Sequence, residues 1–146
     1  MQKYQKYHYL DDIATADLAF VAEGKTLSQL FKHAAEALAA SMISLKTITP
    51  KKKKAVSLNH TDLERLLFNF LGEIIYLKDA EQFVHSKSSV TVAKKGNEYH
   101  LTATLLGEKL NPKKQEFHND VKAVTMHLFK ISKTPRGFKA RVILDI

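Results

Sequence analysis

The sequence predicts a single α+β domain in which two helices pack on a mixed or mostly antiparallel β-sheet. Two segments, beginning near residues 26 and 61, carry apolar residues at helical spacing. Short runs of β-branched and apolar residues, separated by turn residues, precede the first helix and fill the second half of the chain. Because both helices come early and the later strands follow one another, this order favours α+β. At 146 residues, the whole chain is predicted to form one domain, residues 1–146.

The first part of the chain is predicted to contain two strands and a helix. Residues 7–10 and 18–23 are typical of short strands, and Gly24 ends the second. Thr26 and Gln29 have the spacing of a capping box, so the first helix is predicted to begin there and to end around Ser44. His33 and His60 are expected at the surface or at helix ends. The predicted buried face of this helix consists of Leu27, Leu30, Phe31, Ala34, Ala35, Leu38 and Met42.

The second helix follows a polar connection, residues 46–54, and a short strand, residues 55–59. Thr61 and Glu64 form a second capping-box pattern, and the apolar stripe that follows runs to about Lys78. The remaining segments are predicted strands at 88–94, 98–107 and 121–132, with a hairpin turn at 95–97 and a loop at 111–114. After a turn at 134–137, the closing strand is predicted to face inward through Phe138, Ala140, Val142 and Leu144.

The amino-acid composition limits the classes of partner and of metal site that the chain is expected to have. The chain has no cysteine, which excludes disulfides and thiolate metal sites. No run approaches the roughly 18 apolar residues of a membrane span, and the polar N-terminus lacks a signal-peptide core. No membrane partner is therefore predicted, and a cytoplasmic location is expected. The net charge of +8 favours a negatively charged partner such as nucleic acid, but no RNA-binding fingerprint is present. We therefore expect indirect or weak RNA contact.

The last six residues, 141–146, are typical of a strand, and they end in two anionic groups: the Asp145 side chain and the Ile146 carboxylate. Asp17 ends the loop that leads into the second predicted strand. If the two strand ends meet, three carboxylates surround one point, and oxygen ligands of this kind suit Ca²⁺ or Mg²⁺. The alternative is a solvated chain end with one surface aspartate.

Five motifs in order resemble the archease family, whose members assist RtcB-type RNA-splicing ligases. They are Thr15-Ala16-Asp17, Gly24-Lys25-Thr26-Leu27, Gly107-Glu108-Lys109, the run Val121-Lys122-Ala123-Val124-Thr125-Met126-His127, and Val142-Ile143-Leu144-Asp145-Ile146. The resemblance extends over nearly the whole chain. One departure is Ala14, where the family usually has a histidine before Thr-Ala-Asp.

The resemblance implies an archease-like fold and a role as an accessory protein that is not itself an enzyme. Family members promote guanylylation of the ligase by GTP and its multiple turnover in tRNA splicing or RNA repair. Asp17, Asp145 and the Ile146 carboxylate match the metal-binding positions, with Ca²⁺ as the predicted ion and Mg²⁺ or Mn²⁺ as alternatives. The predicted contacts with the ligase or nucleotide are Lys122, His127, Asp12 and Glu108.

Two other functions are compatible with the same residues. The first is a general RNA-binding module or RNA-processing chaperone, which the positive charge favours. The second is a metal-dependent hydrolase that uses Asp17 and Asp145, although no nucleophile motif accompanies them.

Overall fold

A computed structural model describes residues 5–11 and 17–146, and the fold class predicted from the sequence is confirmed. Two α-helices and a single 3₁₀ turn, residues 45–47, are joined to seven strands in the described ranges. The order along the chain is β1 (Tyr7–Leu10), β2 (Asp17–Gly24), α1 (Leu27–Met42), β3 (Lys52–His60), α2 (Leu63–Glu81), β4 (Phe83–Lys95), β5 (Glu98–Lys109), β6 (Ala123–Thr134) and β7 (Gly137–Asp145).

The strands form two sheets, whereas the sequence predicted a single sheet. A four-stranded sheet has the order β1-β2-β7-β6, and a three-stranded sheet has the order β3-β5-β4. All neighbouring strands in both sheets are antiparallel. The last strand therefore lies in the middle of the larger sheet, between β2 and β6, where both of its edges are paired. This position holds the end of β7 in place.

Helix α1 contacts both sheets, through β2 in the larger one and β4 in the smaller one. Its start is as predicted: the Thr26 hydroxyl accepts a hydrogen bond from the Gln29 N–H at 3.1 Å. Because the helix is covered from two sides, it buries more than one stripe. His33, which was predicted to lie at the surface or at a helix end, is buried in mid-helix, and its Nδ1 lies 2.6 Å from the Glu23 carbonyl oxygen. That prediction was wrong.

Helix α2 begins one residue later than the capping-box pattern suggests. Asp62, and not Thr61, is the N-cap, and its carboxylate accepts from the Glu64 N–H at 3.0 Å. The Glu64 carboxylate instead accepts a hydrogen bond from the Ile131 N–H at 2.8 Å, so it ties the helix to β6. The helix continues past the predicted end at Lys78 to Glu81, where Gln82 stops it with a positive φ of 54°.

The core lies between the helices and the two sheets. Its largest fully buried side chains include Phe20, Phe31 and Phe70. On β7, Ala140, Val142 and Leu144 are completely buried as predicted, and Phe138 is half-buried. In the part of the chain that the structure describes, neither helix combines the length and the apolar composition needed to cross a bilayer.

Candidate functional site at the paired ends of β2 and β7

The antiparallel register of β2 and β7 brings the two predicted aspartates together. Asp17, the first residue of β2, lies directly opposite Asp145, the last residue of β7. Side chains of directly opposed residues extend from the same face of a sheet, with Cβ atoms about 4.5–5.5 Å apart. Both residues are half-buried. The convergence expected from the sequence is therefore found, while the role of these residues as metal ligands stays a prediction.

The side-chain alternation of the two strands determines which face of the sheet carries the pair. Leu18 and Leu144 are opposite each other, as are Phe20 and Val142, and these residues belong to or pack against the core. Successive side chains alternate between the faces of a strand. Asp17 and Asp145 therefore extend from the opposite face, away from the core. Ile146, the residue after β7, is half-buried and packs against the core.

Strand β6 and the residue before it hold the other edge of β7. Ala123 is opposite Asp145 in the β6–β7 pair, and the Lys122 N–H donates to the Asp145 carbonyl oxygen at 2.8 Å. The Lys122 side chain is exposed. The structure thus brings the backbone of Lys122 against the aspartate pair and leaves its ammonium group accessible.

Lys78, which was not among the predicted site residues, anchors the segment that leads to Lys122. This lysine is only 7% exposed. Its Nζ donates to Asp120 Oδ1 at 2.9 Å and to the Val121 carbonyl oxygen at 2.8 Å. The hydrogen bond and charge of Lys78, together with the charge of Lys122, lower the pKa of the Asp120 carboxyl despite its partial desolvation. Lys78 also pairs with its neighbour Asp79 at 3.1 Å. A lysine inside an amphipathic helix was the available signal, but Asp120 and Val121 lie more than forty residues away in sequence.

The aspartate pair has no ion-pair partner in the described part of the chain. Within residues 5–11 and 17–146, neither Asp17 nor Asp145 forms an ion pair. Two adjacent carboxylates repel each other unless a cation or a proton lies between them. Their oxygen donors, with a carboxylate at Ile146, match the ligand preference of Ca²⁺, Mg²⁺ and Mn²⁺.

The side chains of the described residues do not complete such a site by themselves. In the described ranges, no cluster of three or more His, Cys, Asp or Glu side chains is arranged to hold a metal ion. The third donor of the predicted set is the main-chain carboxylate of Ile146. Asp12, a further predicted contact, lies outside the described residues.

His127 lies farther along β6, away from the aspartate pair. The β6–β7 register shifts between Thr125 and Lys130, so His127 is within an irregular bulge and is exposed. Leu128, the next residue, has a positive φ of 55°, which is uncommon for a bulky side chain. Ala123, and not His127, is the residue of β6 that lies opposite Asp145.

Glu108 is buried and occupied by internal contacts. Its carboxylate accepts from the Thr49 N–H at 2.8 Å and from Gln115 Nε2 at 3.2 Å, and it pairs with Lys114 at 2.5 Å and Lys51 at 3.7 Å. The hydrogen bond from Lys114, then that from Thr49, lowers the pKa of Glu108 to about 2. Neither Asp17 nor Asp145 is among the partners of Glu108. Glu108 therefore ties β5 to two neighbouring loops.

These residues define the class of protein: a small α+β domain whose central strand pair brings two carboxylates together at one end. The sequence model of the Archease protein family (MTH1598/TM1083) matches residues 7–146. The chain belongs to the archease family, and the resemblance noted in its motifs is confirmed.

Relatives and solved structures agree with this assignment. The chain is 38% identical to protein archease of Methanosarcina barkeri, over 97% of each chain, and 38% identical to that of Thermococcus kodakarensis over the full length of both. It is similar to the solution structure of Methanobacterium thermoautotrophicum protein 1598, with a TM-score of 0.85, 33% identity, and coverage of 97% of this chain and 99% of that one. A crystal structure of an archease from Thermotoga maritima, described as a possible chaperone, has a TM-score of 0.61 at 21% identity, covers 100% and 98% of the two chains, and shows the fold alone. None of these names states a catalytic activity.

Proposed function

We propose that this protein is an accessory factor that activates an RtcB-type RNA ligase, promoting its guanylylation and multiple turnover. Membership of the archease family supports the partner class. The single observation that supports the mechanism is the register of β2 and β7, in which Asp17 lies opposite Asp145. The protein is not itself the ligase under this proposal, and it acts in the cytoplasm.

Asp17, Asp145 and the Ile146 carboxylate would hold a divalent cation, with Ca²⁺ as the first choice. Such an ion, when bound, would offset the negative charge of phosphate groups during nucleotidyl transfer. The chain contributes a fixed position for the carboxylates, since β7 is paired on both sides and the Asp145 carbonyl accepts from Lys122. Because the strand is held in this way, the carboxylates that would bind the metal are already in place before the ligase binds. This order reduces the entropic cost of forming the complex.

Lys122 is the proposed contact with a phosphate or a ligase carboxylate, because its side chain is exposed and its backbone N–H donates to the Asp145 carbonyl oxygen. His127 would contact the ligase at the edge of the surface that carries Asp17, Asp145 and Lys122. Glu108 is the weakest member of the set, because its carboxylate is already bonded to Thr49, Gln115 and Lys114. Asp12 remains a proposed contact from its motif alone.

Multiple-turnover ligation with and without the protein tests the proposal. Asp17→Asn and Asp145→Asn keep the size of the side chain and remove one charge each, and both variants are expected to abolish stimulation while remaining folded. Glu116→Gln is the matched control, since Glu116 is exposed and its hydrogen bonds to Ser44 and Thr47 use its main-chain carbonyl and N–H groups. The substitution therefore removes one surface charge and keeps both hydrogen bonds. Normal stimulation by both aspartate variants would contradict the proposal.

Calorimetric titration of the isolated protein with Ca²⁺ tests the metal separately from the ligase. We expect saturable binding that is weakened in Asp145→Asn and unchanged in Glu116→Gln. If stimulation requires the aspartates but no cation binds to the isolated protein, the pair acts through direct contacts with the ligase and the metal assignment is wrong.

A general RNA-binding module is the second candidate, and a specific observation favours it. Lys51, Lys52 and Lys53 are exposed in a run that enters β3, an edge strand of the smaller sheet. Exposed lysines on an edge also discourage sheet-to-sheet association, which is a purely structural reason for them. A mobility-shift assay at two salt concentrations distinguishes the functions, because phosphate contacts give a steep salt dependence. RNA binding without the ligase, lost when the three lysines become glutamine, would favour this second candidate.

A further inference from the structure

A cavity separates the middle of α1 from the first half of β4, in a part of the fold away from the aspartate pair. Its volume is about 340 Å³, near the lower end of the range of ligand pockets. The helix side contributes Lys32 and Glu36, the sheet side contributes His85, Ser86 and Lys87, and Lys6 lies at the edge. Within the described ranges, its lining contains no Phe, Tyr or Trp.

The sheet side of the cavity is shaped by a β-bulge. In the β4–β5 pair, His85 is opposite Gly107 and Lys87 is opposite Leu106, so Ser86 is the extra residue. Bulges redirect side chains, which explains how successive residues line the same cavity. Gly107 permits the close approach of the strands: a Cβ at this position would lie 1.8 Å from the Val84 carbonyl oxygen. The distortion is therefore built into both strands.

Two polar atoms at the bulge have no hydrogen-bond partner among residues 5–11 and 17–146. His85 Nε2 and Ser86 Oγ are both buried, and His85 as a whole is only 3% exposed. Leaving a buried donor or acceptor unpaired costs about 1–3 kcal/mol, so native proteins rarely tolerate it without a water or ligand. Burial lowers the pKa of His85 to about 4, so its ring is neutral at pH 7 and can both donate and accept a hydrogen bond.

The charge at the mouth of the cavity is positive. Lys6, Lys32 and Lys87 are exposed around it, and none of the three forms an ion pair with another described residue. Glu36 is the single acidic residue in the lining of the described part. Lysine binds phosphate as a point charge. The combination of a basic mouth with a neutral, hydroxyl-lined interior suits a ligand with one phosphate and several hydroxyl groups.

We propose that this cavity binds a small sugar phosphate, with the phosphate at the three lysines and a sugar hydroxyl bonded to His85 and Ser86. The described lining contains no Phe, Tyr or Trp, and His85 is buried, which favours a sugar phosphate over a nucleotide, because bases in protein sites commonly stack on large exposed aromatic rings. The site is separate from the aspartate pair and does not depend on the function proposed for it.

Two-dimensional ¹H–¹⁵N NMR of the full chain tests this proposal, with ribose 5-phosphate as the probe and ribose and inorganic phosphate as separate controls. We expect ribose 5-phosphate to give saturable shifts of the Ser86 and Lys87 amides and of the His85 ring. Each control should bind more weakly, because each satisfies only one end of the cavity. Failure of ribose 5-phosphate to shift these signals at millimolar concentration overturns the proposal, and so does equal affinity for inorganic phosphate alone.

Two variants distinguish this cavity from the other basic surface. Lys32→Gln should weaken binding about threefold and Ser86→Ala about fivefold, as expected for one exposed charge and one hydrogen bond. Lys53→Gln, in the exposed lysine run of β3, should leave the affinity unchanged. Thermal unfolding of each variant verifies that it is folded. Equal binding by Lys32→Gln, Ser86→Ala and the wild type, or loss of binding only in Lys53→Gln, contradicts the proposal.

Discussion

The buried His85 ring is expected to make the protein less stable as the pH falls from 7 to 4. In the folded chain, burial lowers the pKa of His85 from 6.5 to about 4. Between these two values the unfolded chain binds a proton at this residue and the folded chain does not. Stability therefore rises with pH in this window, is fully present above 6.5, and is lost as the pH falls towards 4.

The size of the effect follows from the two pKa values. At about 1.4 kcal/mol for each pH unit, the interval from 6.5 to about 4 corresponds to about 3 kcal/mol in total. Between pH 7 and pH 5 the expected loss is about 2 kcal/mol. Glu108 has the same sign, since its pKa falls from 4.5 to about 2, but its contribution is lost mainly below pH 4.5. The two residues thus act in largely separate pH windows.

Urea unfolding monitored by circular dichroism at pH 7 and pH 5 measures this difference. His85→Gln retains a neutral polar side chain and every charged group of the cavity, so the wild type should lose about 2 kcal/mol more than the variant between the two pH values. His118→Gln, at an exposed position, is the control and should behave like the wild type. Equal losses in the wild type and His85→Gln would refute the reasoning, and an NMR titration of the His85 ring checks the pKa directly.

Two further predictions concern buried charges. Lys78→Met should destabilise the protein by about 1–2 kcal/mol, because the Val121 carbonyl loses its donor while Asp120 stays solvated. It should also raise the pKa of Asp120 towards its ordinary value and speed amide hydrogen exchange at Lys122; an unchanged exchange rate would contradict the anchoring role. Glu108→Gln should cost about 1–3 kcal/mol in urea unfolding at pH 7, since Thr49 and Lys114 lose a charged acceptor; a neutral effect would leave Glu108 available as a partner contact.

Local patterns predicted the elements well where each element carries its own signal. Thr26 caps α1 as the capping-box spacing indicates, and the alternation of β7 gives the buried residues Ala140, Val142 and Leu144. The first residues of β4 were missed, because the bulge between His85 and Lys87 interrupts the alternation that marks a strand.

The division into two sheets could not be predicted in this way, because strand pairing is a long-range property. The periodicity of a helix shows one apolar face, but α1 is covered by β2 and β4 from different sheets. This is why His33 is buried although a position at the surface or at a helix end was expected for it. The same limit applies to Lys78, whose bonds to Asp120 and Val121 connect distant parts of the chain.

The candidate site was predictable because its two aspartates mark the start of one strand and the end of another. Antiparallel pairing of such strands brings those two ends together. The observed register then places Asp17 directly opposite Asp145. A slip of one residue would move every side chain of β7 to the other face and would bury Asp145 in place of Leu144. The apolar alternation that builds the core therefore also fixes the carboxylate pair on the outer face.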